Sequence, residues 1–236
     1  MLWPVSDNHH PDRKSTIPPM DCDRLLAQFY RIVEAVRSKD RPLPCWAEVL
    51  EITGQRSNEA VAGLDIVSDM ISLTEQTDRL LRAAPLPAGV TFLWFGLCDV
   101  VIGDQDIEGY YVSGWSGTDP DEDRSLVYFP ESRWLTSSVL NGIKDALRRV
   151  EKTALDAGKE RPEDYHVLDY AVMFGAAAVL TKFAIQPLNA RKIPVYVGFD
   201  SGDWALVNTP ASTKNRVWPI VPMKRIDASS LNPRNC

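Results

Sequence analysis

The chain has 236 residues, 44% hydrophobic and 25% charged, which suits one medium domain or two small ones and excludes a disordered chain. Its formal net charge of -6 argues against general nucleic-acid binding and against anionic membranes, because phosphate contacts need clustered Lys and Arg. The longest apolar run, at 171–180, falls well short of a bilayer span of roughly 20 residues.

Residues 1–20 carry Pro4, Pro11, Pro18 and Pro19 and no apolar h-region, so they read as a flexible arm rather than a signal peptide. A helix is predicted from an N-cap at Asp21 or Asp23 to about Lys39, because Leu25, Leu26, Phe29, Ile32, Val33 and Val36 recur at three- and four-residue spacing. Pro42 and Pro44 break it, and a short helix at 46–52 closes on Gly54. A third long helix is expected over 58–82, with Val61, Leu64, Val67, Ile71 and Leu81 inward. Residues 21–84 thus form a helical lobe, and 85–89 link it to the rest of the chain.

After Gly89 the texture turns aromatic and β-branched. Strands are predicted at 90–97, continuing at 100–102, then at 110–115 and 125–129, as an antiparallel meander. Two helices come next. The first spans 132–157, with Leu135, Val139, Ile143, Leu147, Val150 and Ala154 on one stripe; the second spans 162–183 and is apolar on nearly every side. A hairpin of 195–199 and 204–207 precedes a Pro-rich, locally basic tail. The order of elements implies an α+β fold: an N-terminal helical lobe packed on a mostly antiparallel sheet with two further long helices. Residues 90–236 are either a second domain or part of one core with the lobe.

Cys22, Cys45, Cys98 and Cys236 are widely scattered, which suits free thiols in a reducing cytoplasm better than a disulfide framework or a zinc site. The glycines form no phosphate-cradling loop, so no nucleotide cofactor is expected. His166 and Asp169 stand at i, i+3 on a predicted helix, but no serine has the frame of a nucleophile elbow.

The main anomaly lies at 99–123, where Asp99, Asp104, Asp106, Glu108, Asp119, Asp121, Glu122 and Asp123 occur without any Lys or Arg. Such a concentration needs a cation, a basic partner or plain solvation. Asp119, Asp121 and Asp123 match the first ligands of a calcium loop, but Arg124 and Pro130 occupy its obligatory Gly and Glu positions. No metal is therefore expected. Asp104, Asp106 and Glu108 would share one strand face at period two, the arrangement that a carboxylate- or metal-dependent hydrolase using Asp99–Glu108 requires. That reading lacks a second wall and a nucleophile.

Tyr110, Tyr111 and Trp115 are interleaved with these acids, and aromatic anchors ringed by charge are what protein-binding hot spots use. The set Asp104, Asp106, Glu108, Tyr110, Tyr111, Trp115, Asp119, Asp121, Glu122 and Asp123 is accordingly the expected partner-binding surface. In this pattern the chain resembles the immunity proteins of bacterial toxin–immunity pairs, small acidic cytoplasmic proteins that bind and block a cognate toxin. The resemblance covers about an eighth of the chain, at 99–128, and implies a non-catalytic cytoplasmic protein whose partner is a basic toxin domain.

Overall fold

A computed structural model describes residues 22–102, 105–117, 125–157, 165–186, 193–199 and 204–208. Four helices come first: α1 (Cys22–Ser38), α2 (Pro42–Ile52), α3 (Glu59–Ala62) and α4 (Ile66–Ala83). Strands β1 (Phe92–Ile102), β2 (Gln105–Ser116), β3 (Ser125–Tyr128) and β4 (Trp134–Leu135) come after them. Helices α5 (Ser138–Asp156) and α6 (Tyr165–Ile185) and strands β5 (Val195–Phe199) and β6 (Trp204–Asn208) complete the α+β fold. No helix among the described residues is long and apolar enough to cross a membrane.

The run that is apolar all round becomes the middle of α6. From Phe174 to Ile185 every residue is buried, and α6 touches α1, α2, α4 and α5 as well as β1, β5 and β6. One hydrophobic cluster therefore extends from Leu25 of α1 through α6 to Val207 of β6, so the N-terminal helices and the sheet share a core.

Two charged side chains close helix ends inside this packing. Lys182 of α6 donates from Nζ to the carbonyls of Val36 and Lys39, both at 2.5 Å, and so caps the end of α1. Burial holds its pKa below the ordinary lysine value. Asp69 of α4 accepts from the Ser138 and Val139 amides at 2.8 and 3.3 Å, and from the Ser137 and Ser138 hydroxyls at 2.5 and 2.8 Å. A carboxylate at the start of α5 and an ammonium at the end of α1 both oppose the helix dipole in the favourable sense. Farther along α4, the Gln76 amide holds the Thr136 backbone through both its oxygen and its nitrogen, at 2.8 and 2.9 Å.

These tertiary caps account for several departures from the sequence reading. The helix expected from 132 begins at Ser138, because Asp69 fixes that point, and Trp134–Leu135 pairs with the sheet as β4. Leu135 is thus a strand residue. The long helix expected over 58–82 is two helices: α3 ends at Gly63, and the Asp65 side chain opens α4 by accepting from the Ser68 amide at 3.0 Å. Pro42 and Pro44 lie inside the first turn of α2, where a missing amide costs no hydrogen bond. Ile71 and Val150 are exposed. The buried stripe of α4 runs Ile66, Asp69, Leu73, Thr77, Leu80 and misses Ile71, while no described residue of α5 beyond Leu147 is buried.

The sheet has the order β3-β2-β1-β5-β6, with β4 also on β2. It is antiparallel except where β1 and β5 run parallel, joined by a crossover that includes α5 and α6. Its helix-covered face carries Leu93, Phe95, Leu97, Tyr110, Val112, Val195 and Val197. The other face carries a separate cluster of Phe92, Trp94, Tyr111, Tyr196 and Leu206, to which none of the described helices contributes. Cys45 is a free thiol, and burial pushes its pKa up to about 11.

Replacing Asp69 with Ala strands four donors at the start of α5. We expect a loss of about 3 kcal/mol in urea unfolding, together with faster amide exchange in the first turn of α5. A loss below about 1 kcal/mol would show that α5 is anchored by packing alone.

Candidate protein-binding site

The acidic segment is built on the β1–β2 hairpin, whose register runs from Phe92 opposite Trp115 to Ile102 opposite Gln105. Its neighbours do not accompany it to its end. β5 pairs with β1 only over Leu93–Leu97, β4 meets β2 at Tyr110 and Tyr111, and β3 meets β2 at Gly114–Ser116. Among the described strands, residues 98–102 and 105–109 therefore pair only with one another. The hairpin ends as a two-stranded finger.

Within the finger the register sets Asp99 directly opposite Glu108, and Val101 opposite Asp106. Like charges facing each other across an antiparallel pair destabilise it, and a cation or a basic surface relieves the repulsion. Asp106 and Glu108 are thus placed in the finger by the backbone. Asp104, Asp119, Asp121, Glu122 and Asp123 lie outside the described residues.

The aromatic part of the expected surface changes. Tyr110 is 4% exposed and belongs to the main core, where its hydroxyl hydrogen-bonds the Thr181 hydroxyl of α6. Tyr111 is also buried, on the opposite face. Neighbouring strand residues point to opposite sides, so these two could not share one binding face. Trp115 is half-buried, and its Nε1 donates to the buried Ser113 hydroxyl at 3.0 Å. Tyr110 is a packing residue, and Tyr111 is the floor of a different group.

That group is not among the residues expected from the sequence. Of the seven large apolar side chains exposed among the described residues, four fall between Leu126 and Trp134: Leu126, Val127, Phe129 and Trp134. Phe129 is 48% exposed and Trp134 40%. Both meet Tyr111 edge-on, with ring centroids 6.0 and 5.6 Å away. The Arg133 guanidinium lies 3.8 Å from the Phe129 ring centroid and 4.9 Å from that of Trp134, and its Nη1 donates to the Pro130 carbonyl at 3.3 Å. The Arg133 amide donates to the Pro130 carbonyl and the Val112 amide to the Arg133 carbonyl, which holds this loop on β2.

Two glycines make the arrangement possible. A β-carbon at position 96 would stand 2.2 Å from the Tyr111 ring, and one at position 109 would stand 2.1 Å from the Trp134 ring. Tyr111 therefore lies across β1 at Gly96, and Trp134 lies across β2 at Gly109, next to Glu108. The aromatic group sits at the root of the acidic finger.

The alternative hydrolase assignment needs further groups to oppose Asp99 and Glu108. Among the described residues, no three His, Cys, Asp or Glu side chains converge in the manner of a metal centre. The side chains of His166 and Asp169 lie outside the described set. No protein-family model, curated protein or solved structure matches the chain.

Burial raises the Tyr110 phenol above its ordinary value of 10.0. The fold keeps it neutral, so its contribution to stability is intact below pH 10 and is lost as the pH rises further. Tyr110→Phe should cost about 1 kcal/mol at pH 7 through the unpaired Thr181 hydroxyl. The fall in stability between about pH 10 and 11.5 should be shallower in this variant than in the parent. Urea titrations at the two pH values test this, and identical alkaline slopes would show that Tyr110 takes no part in the alkaline loss.

Proposed function

We propose that this chain is a non-catalytic protein-binding module that offers its acidic β1–β2 finger to a basic partner, the partner being a toxin that it binds and neutralises as immunity proteins do. The observation that carries the reading is the cross-strand placement of Asp99 against Glu108, with Asp106 farther out, on strands that the rest of the sheet leaves behind. Carboxylates at opposed positions of a two-stranded ribbon weaken it, and a basic surface converts that cost into binding energy. Carboxylates grouped in this way also steer encounter and reject acidic competitors. A basic toxin domain fits these requirements and agrees with the net charge of -6.

The test is co-purification from the native host with the tagged full-length chain, with the affinity of the recovered protein measured afterwards. Asp106→Lys together with Glu108→Lys should weaken binding at least tenfold and flatten its dependence on ionic strength. In the same host, co-expression should relieve growth arrest by the recovered protein, and the doubly reversed variant should not. Unchanged affinity in that variant would falsify the finger as the binding element.

A further inference from the structure

We draw no further inference here: the strongest candidate, the exposed aromatic patch of Phe129 and Trp134 over Tyr111 at the β3 edge of the sheet, carries nothing because nothing in the structure shows what covers it.

Discussion

A helix with no polar face has to be covered on every side, and this requirement on α6 organises the rest of the molecule. Phe174, Val179 and Leu180 point in different directions around the helix, and each is at most 1% exposed. Burying a side chain of that size is worth about 2 kcal/mol, so no side of α6 can be left to solvent cheaply. The sheet covers it on one flank through β1, β5 and β6, and α1, α2, α4 and α5 cover the remainder. The short sequence Gly175-Ala-Ala-Ala178 lets these neighbours approach closely: a β-carbon at position 175 would meet Val49 of α2 at 2.5 Å. The N-terminal helices therefore complete the enclosure of a helix from the far half of the chain.

Enclosing α6 with helices brings helix termini into the interior, where unpaired amides and carbonyls are costly. Asp69 and Lys182 answer that problem in opposite directions: the carboxylate takes the amides of one helix start, and the ammonium takes the carbonyls of another helix end. Each side chain is largely buried, so each loses hydration that only these particular backbone groups replace. The net stabilisation is smaller than the number of hydrogen bonds suggests, because desolvation opposes it. Orientation is the larger effect, since sliding α5 by one turn would leave Asp69 charged and unpaired.

How much of this is legible in the sequence depends on how local each signal is. The amphipathic stripe of α1, the Val-rich strands and the unbroken apolar run of α6 are properties of consecutive residues, and the elements they predict are present. The division between α3 and α4 and the late start of α5 escape a local reading. They depend on Asp65 and Asp69 acting as caps, the latter across 69 positions of sequence. At the site, the root of the β1–β2 hairpin is visible from its residues, but β2 begins at Gln105, five positions before the strand expected at 110–115, and composition alone groups Tyr110 and Tyr111 on one surface. The two-residue period of a strand places them on opposite faces, one against Thr181 and α6 and the other under Phe129 and Trp134. Leu126, Val127 and Phe129 form an apolar run of the kind expected in a buried strand, and only the sheet order reveals that β3 has no strand beyond it among those described.

The finger and its root are mechanically linked, which gives the charge arrangement its meaning. A two-stranded ribbon is marginal in water even without like charges facing each other. Here Asp99 and Glu108 stand opposite one another one register position beyond Cys98 and Gly109, and Trp134 packs over Gly109 on the other face of the ribbon. Cross-strand contacts with aromatic rings are worth about 0.5–1 kcal/mol each, enough to offset one opposed pair of carboxylates but not several. The root thus pins the register of the ribbon at the position next to the opposed acids. The ribbon therefore offers two different faces at its root: Gly109, Tyr111 and Trp134 on one side, and the register positions of Asp106 and Glu108 on the side shared with Tyr110.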